Sequence, residues 1–323
     1  MYMVAVKIAK KIQDKFNVNH IFAQNMAFFV SDSDNPIDSA RIRIEEKPKP
    51  FVKWVGGKRQ LLDQLKIMKL YPPEQFNPLN GRYFEPFAGG AAVFFDLLPK
   101  RAFLSDLNAE LVITYNVIKN DVESLITSLR KHKNEKEYFL KIRAKKVEEL
   151  NDVEIASRFI YLNRTCFNGL YRVNSRGDFN VPFAGNKNPL ICNAINLRRV
   201  SGSLKYVEIK NQDYKMVLKK ARKGDFIYFD PPYYPLTKTS SFTSYTKEAF
   251  LDKEQIELRD TFVELTNRGC FVMLSNSDTP FINRIYSEVK NKKIKINKVY
   301  AGRAVNSNAS GRGKITEVLI TNY

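Results

Sequence analysis

The sequence predicts an α/β fold, a parallel sheet covered by helices and interrupted by a mostly helical insertion. From Phe51 onward, short apolar runs that end in polar or glycine residues alternate with longer segments of helical period. Between Leu107 and Leu204 the strand signal disappears, and it returns afterwards. Two parts of one sheet therefore flank an inserted segment.

Taken in order, residues 1–48 read as an N-terminal extension. The Lys-rich stretch Met3 to Phe16 leads into the apolar run Ile21 to Val30, and then into Ser31-Asp32-Ser33-Asp34-Asn35-Pro36 and the linker-like Lys47-Pro48-Lys49-Pro50. The apolar run is too short for a bilayer and is broken by Gln24 and Asn25, so neither a membrane partner nor export is expected and the location is cytoplasmic. Residues 49–106 and 205–323 are expected to form the sheet domain, with strands near Tyr83–Glu85, Ala102–Ser105, Val207–Ile209, Asp225–Phe229, Phe271–Ser275 and Glu317–Asn322. Within the inserted 107–204, Ala109–Lys119 and Val153–Asn163 have helical period and precede a polar, aromatic-rich hairpin with Ser175-Arg176-Gly177-Asp178 at its tip. Lys290 to Lys298 reads as a solvated face.

Composition narrows the chemistry. The 323 residues, 44% of them apolar, suffice for a full core. Lys and Arg number 53 against 34 acidic residues, a net charge of +19, which draws a protein toward polyanions and makes nucleic acid the first candidate partner. Lysine inflated by coding style would give the same excess. Cys166, Cys192 and Cys270 are widely spaced without a CxxC, and His20 and His132 are the only histidines, so a disulfide framework, a metal site and a Ser-His-Asp triad are not expected.

Two motifs carry chemistry. Phe84-Glu85-Pro86-Phe87-Ala88-Gly89-Gly90-Ala91-Ala92 follows a strand and opens a helix, where glycines let the backbone approach a ligand at the helix N-terminus or simply make a tight turn. The next strand ends in Asp106, placed to hold ribose hydroxyls. Tyr228-Phe229-Asp230-Pro231-Pro232-Tyr233 is more specific. Its prolines lack N–H groups, so the turn presents carbonyl oxygens. Asp230 and the Pro231 carbonyl can accept both N–H bonds of an exocyclic amine while Tyr233 stacks on the ring that bears it.

Asp230-Pro231-Pro232-Tyr233 resembles the D-P-P-Y motif of amino-methyltransferases acting on DNA. Phe51-Val52-Lys53-Trp54-Val55-Gly56-Gly57-Lys58 and Phe84 to Ala92 resemble the cofactor motifs of the Dam-type, D12-class adenine-N6 methyltransferases, in the same order along the chain. The resemblance covers about Phe51 to Tyr323. It implies a Rossmann-like domain binding S-adenosylmethionine through Trp54, Lys58, Phe87, Gly89, Asp106 and Asp230, with Asp230 to Tyr233 as the catalytic motif. The insertion becomes the target-recognition domain for double-stranded DNA. Its segment Leu162 to Phe183 interleaves Arg, Asn and aromatic residues as groove readout requires. The implied contacts are Phe167, which enters the base stack, then Asn168, Leu170, Arg172, Asn174 and Pro182, with Lys53 reading a flanking pair.

The expected reaction is methyl transfer to adenine N6 within GATC after the base is flipped out of the duplex. Cytosine-N4 methylation, an RNA substrate and a non-catalytic DNA-binding role are the rivals; Ser is the commoner first residue of the motif in the cytosine case. A cognate restriction endonuclease is a candidate partner, as in restriction-modification systems, and the chain is expected to be a monomer or weak dimer. Ser, Asn and Gly around Arg303 to Lys314 suggest a basic phosphate-contacting loop.

Overall fold

The apolar runs fold into one seven-stranded sheet in the order β3-β2-β1-β4-β5-β7-β6. The computed structural model describes residues 10, 11, 14, 47–54, 56–236, 250–302 and 314–323. The chain divides into two compact units, Met1–Pro48 and Lys49–Tyr323. Within the first, Lys10, Lys11 and Asp14 are helical and exposed. The rest of the lysine-rich segment, the apolar run with His20, and Ser31–Pro36 lie outside the described residues.

In the second unit, α1 (Arg59–Ile67) precedes β1 (Arg82–Glu85), α2 (Ala92–Leu97) and β2 (Arg101–Asp106). The insertion contributes α3 (Ala109–Asn120), α4 (Val122–Leu129), α5 (Lys136–Ala144), α6 (Asp152–Thr165) and α7 (Ala194–Leu204). Then come β3 (Val207–Asn211), the short α8 (Val217–Lys220), β4 (Phe226–Phe229), α9 (Asp252–Asn267), β5 (Phe271–Ser277), α10 (Pro280–Ser287), β6 (Lys295–Gly302) and β7 (Lys314–Thr321).

Local chemistry fixes the helix starts. The Asn108 side chain accepts from Leu111 N and begins α3 right after β2. Asn151 and Glu154 form a reciprocal capping box on α6, and Thr279 caps α10 ahead of Pro280 at its first turn. Strand residues alternate between two cores. Tyr83, Leu104, Phe226, Tyr228 and Met273 face one, while Phe84, Ile227, Phe229, Val272 and Leu274 face the other, which α9 and α10 complete with Leu258, Phe262 and Ile285. Burial on both faces explains why the strands read as continuous apolar runs. A third cluster, with Phe139, Tyr161, Leu162, Phe179 and Val181, stabilises the hairpin region against α5 and α6.

Strands β1 to β5 are parallel, and β7 enters antiparallel between β5 and β6. The chain winds outward from β1 through β2 to β3, then restarts at β4 beside β1. That reversal opens a crevice beyond the carboxyl ends of β1 and β4, where ligands bind in open α/β sheets.

Two expectations change. The lysine-rich stretch runs into an edge strand, β6, that begins at Lys295 and pairs with β7 from Lys295↔Thr321 to Gly302↔Lys314. Ile296 packs on a core and Val299 is buried, while lysines on an edge discourage pairing with another chain. The hairpin has no ladder. Single bridges at Cys166↔Phe183 and Val173↔Phe179 brace it, since Gly169, Gly177 and Pro182 interrupt regular pairing.

Candidate active site

Asp230 follows β4 directly and meets Lys58, at the start of α1, with Nζ–Oδ1 at 2.8 Å. Lys58 is buried and also donates to the Gly56 carbonyl. Burial raises the Asp230 pKa, the Lys58 ammonium pulls it back down, and the Glu317 carboxylate adds to the rise. Lys58 Nζ lies 4.8 Å from the centre of the Tyr233 ring.

A polar scaffold holds the rest of the turn. Gln255 of α9 donates to the Pro232 carbonyl at 3.0 Å and accepts from Asn276 of β5 at 2.9 Å. Asn276 in turn accepts from Tyr234 N, and Ser277 donates to the Tyr234 carbonyl. The Tyr233 hydroxyl donates to Glu317 of β7 at 2.8 Å, which fixes the plane of its ring.

The glycine loop is tied to the neighbouring strand. Ala88 N donates to the Ser105 carbonyl, and Gly89 N to Asp106 Oδ2 at 2.9 Å. Asp106 Oδ1 accepts from Asn108 N, so this carboxylate orders the loop and the start of α3 together. Burial raises its pKa and those backbone donors oppose the rise. Gly89 has φ +46°, and a β-carbon there would lie 2.5 Å from the Trp54 indole. The indole thus lies directly on the loop. Phe87 stacks on Tyr214 at 5.2 Å and meets Phe229 and Phe250 edge-on, so its ring packs into an apolar cluster.

Glu85, at the end of β1, is buried with its Oε2 accepting from the Tyr83 hydroxyl at 2.9 Å and Phe94 N at 3.1 Å. Desolvation lifts its pKa to about 8 against those two donors, with Asp230 adding to the rise and Lys58 opposing it. Glu85, Gln255, Asn276 and Glu317 escaped the sequence reading as site residues. Each sits inside an apolar or mixed strand or helix where a lone polar residue gives no spacing signal.

The insertion reaches this site through aromatic rings. Trp54 stacks between the loop and Phe159 and Tyr171, at 6.4 and 6.1 Å. Tyr171 is anchored by donating to Glu110, which also accepts from Arg158. In the turn after α6, Phe167 is 51% exposed. Asn168 and Pro182 are exposed next to it, and Phe167 N donates to the Pro182 carbonyl. Lys53 is exposed and its stem packs over Gly169, while Leu170 is half-buried. Arg172 is exposed, with Nε donating to Asn180 at 2.8 Å. Asn174 differs. Its carboxamide oxygen accepts from Arg176 N and Asp178 N, closing the hairpin tip. The structure therefore brings Lys53, Phe167, Asn168 and Pro182 together around the turn at Gly169, turns Leu170 partly into the hairpin cluster, and holds Trp54, Lys58, Gly89, Asp106 and Asp230 around the crevice.

Among the described residues no group of three or more His, Cys, Asp or Glu could hold a metal, and no helix is long and apolar enough to cross a membrane. Residues 303–313 of the expected basic loop lie outside the described residues.

The family model for the D12 class N6 adenine-specific DNA methyltransferase matches residues 54–301. The chain is 44% identical over 283 residues to the type II methyltransferase M1.LlaDCHI of Lactococcus lactis subsp. cremoris, covering 85% of this chain and 95% of that protein. It is 43% identical over 293 residues to the type II methyltransferase M.MjaIII of Methanocaldococcus jannaschii, covering 85% and 99%. To the DNA adenine methylase of Escherichia coli K12 it is 31% identical over 278 residues, covering 85% and 95%.

Proposed function

The chain belongs to the D12 class of N6 adenine-specific DNA methyltransferases, and on that premise we propose that it flips adenine out of duplex GATC and methylates it in the pocket built by Asp230 to Tyr233. One observation carries this reading: the Asp-Pro-Pro-Tyr turn, the glycine loop and Lys58 converge at the β1/β4 crevice.

The enzyme uses S-adenosylmethionine, and the donor set suits it. Asp106 offers acceptors for ribose hydroxyls, Trp54 an aromatic face, Lys58 a cation for a carboxylate, and the small loop residues Gly89 and Gly90 close backbone approach. When bound, the cofactor supplies a methyl group on a sulfonium. Everything else falls to the chain. The adenine amine is a poor nucleophile because its lone pair is delocalised into the ring. Asp230 and the Pro231 carbonyl accept its two N–H bonds and favour a pyramidal nitrogen, while Tyr233, steadied by Glu317, stacks on the purine. Lys58 then keeps Asp230 ionised and able to accept, against the burial that favours the neutral acid. Among the recognition residues, Phe167 fills the gap left by the base and Arg172 reads guanine, oriented by Asn180.

We take residues 107–204 as the recognition domain and residues 1–48 as an accessory extension. Type II names among the relatives favour a paired endonuclease for this chain, acting in the cytoplasm, with the methyltransferase itself monomeric or weakly dimeric. The test uses labelled methyl transfer to a GATC duplex, to a duplex whose only candidate amines are cytosines, and to structured RNA. Transfer to the first alone supports the reading, and transfer to either other substrate overturns it. Plasmid from expressing cells that lack other adenine methylation should resist a nuclease blocked by GATC methylation; adenine methylation elsewhere would refute the site and leave the chemistry.

A further inference from the structure

From the contacts of one buried carboxamide we infer that Asn163 is a positioning residue that couples binding of the cofactor to binding of DNA. The inference rests on the functional reading above, because it names what the two segments joined by Asn163 hold.

Asn163 lies in the last turn of α6 and is 1% exposed. Its Oδ1 accepts from Lys53 N at 2.8 Å, and its Nδ2 donates to the Lys53 and Gly169 carbonyls, both at 2.8 Å. Both donors of the amide are used, on two segments 116 positions apart in sequence (169 − 53). One segment is the arm that continues through Trp54 to Lys58 and hence to Asp230. The other is the turn that presents Phe167, Asn168 and Leu170.

Neither segment is held in a strand ladder; each has only local or isolated backbone bonds, and the Asn163 carboxamide ties the two backbones to each other. Packing makes the junction tighter. Gly169 has φ +66°, and a β-carbon there would lie 2.5 Å from the Lys53 stem, so arm and turn interlock around the glycine. Arg164, the next residue of α6, donates to the Phe51 carbonyl at 2.6 Å. A displacement of the turn toward DNA therefore pulls on the arm, and an arm ordered by the cofactor sets the turn. Coupling of this kind must be reciprocal.

Asn196 of α7 supplies a control with the same bonding pattern. Its carboxamide accepts from Lys49 N and donates to the Lys49 carbonyl, at 2.9 and 2.8 Å, without a bond to the recognition turn. It supports the arm and joins nothing else to it.

The experiment titrates the intact protein with S-adenosylhomocysteine by calorimetry, alone and with saturating duplex that carries the target site. The wild type should bind the probe at least about fivefold tighter with duplex present. Asn163→Ala should bring that ratio near one while each ligand still binds, whereas Asn196→Ala should keep the wild-type ratio even if both affinities fall. Should Asn163→Ala not fold, Asn163→Ser, which cannot span both carbonyls, is read the same way. A wild-type ratio of one, a variant ratio unchanged from wild type, or an equal loss in Asn196→Ala would each overturn the inference. A wild type that binds neither ligand would instead overturn the functional reading beneath it.

Discussion

Lys58 Nζ stands 2.8 Å from Asp230 Oδ1, joining residues that are 172 positions apart (230 − 58) across the β1/β4 crevice. Asp230 keeps 23% of its side chain open against 5% for Lys58, so the carboxylate is the more open partner and the ammonium the buried one. Removal of either partner leaves the other in a poorly solvated place.

Lys58→Met should lower the turnover number by on the order of a hundredfold, as expected for the loss of one oriented charge at a reacting centre. Its pH profile is the sharper readout. Without the ammonium, burial raises the Asp230 pKa unopposed, so the acid limb of kcat should move to higher pH. An unshifted acid limb would remove Lys58 from this role. Asp230→Ala should abolish transfer and spare non-specific DNA affinity, measured by filter binding, because phosphate contacts carry that affinity.

Glu85→Gln should change how stability depends on pH. Glu85 stays protonated in the folded chain up to about 8, against an ordinary value of 4.5, so between these values the folded state holds more protons than the unfolded. Stability from this group is full below 4.5 and is lost as pH rises through about 8. Glutamine still accepts from Tyr83 and Phe94 and carries no titrating proton. The variant-minus-wild-type difference in Tm should therefore grow across this window and level off above it, by an amount on the order of a few kcal/mol in stability. His132, pushed down to about 4 by burial, slopes the other way but is common to both proteins and cancels. A flat difference would show that Glu85 ionises freely.

Gly89→Ala places a methyl 2.5 Å from the Trp54 indole at φ +46°, adding about 1–2 kcal/mol of backbone strain to the clash. The apparent KM for S-adenosylmethionine should rise about tenfold or more, since the loop and the indole, both proposed to bind the cofactor, shift together. Trp54 is the single tryptophan, so its emission reports the displacement directly. Emission and KM that both match the wild type would place Trp54 away from the loop in solution.

Arg172→Ala should reduce activity on the cognate site and bring near-cognate sites closer to it. A bidentate contact to guanine is worth about 1–3 kcal/mol, or roughly 5- to 150-fold in discrimination. Competition between duplexes that differ at one base pair measures the ratio. Equal losses on all sequences would mean that Arg172 contacts phosphate instead of base.

The sheet was legible in the sequence because both of its faces are buried, which turns Phe226 to Phe229 and Phe271 to Leu274 into uninterrupted apolar runs. Strand β6 was hidden by the same logic, since an edge strand that carries Lys295 and Lys298 looks like a solvated charge run until its pairing with β7 is known. In the site, Asp230 announces itself through the rare Pro-Pro-Tyr that follows it, whereas Lys58 and Gly89 stand out only through the family resemblance, because glycines at a strand-to-helix turn also serve a plain turn. Glu317 and Asn163 act through partners 84 and 110 positions away, Tyr233 and Lys53, while Glu85 bonds near neighbours from inside an apolar strand where a lone acid makes no pattern. Asn174, singled out for base contacts by its type, also closes its own turn by accepting from Arg176 N and Asp178 N, a role that its residue type alone did not announce.

Strand β7 follows β5 and β6 in the chain yet lies between them, so until it is made β6 has no partner in the sheet and the lane beside β5 stays empty. Until β7 slots in, the flank of β5 offers unpaired backbone to any passing strand, and Tyr233 lacks the carboxylate that sets its ring. A chain without β7 in place thus lacks the bond that completes the pocket, and its open strand edge invites misassociation.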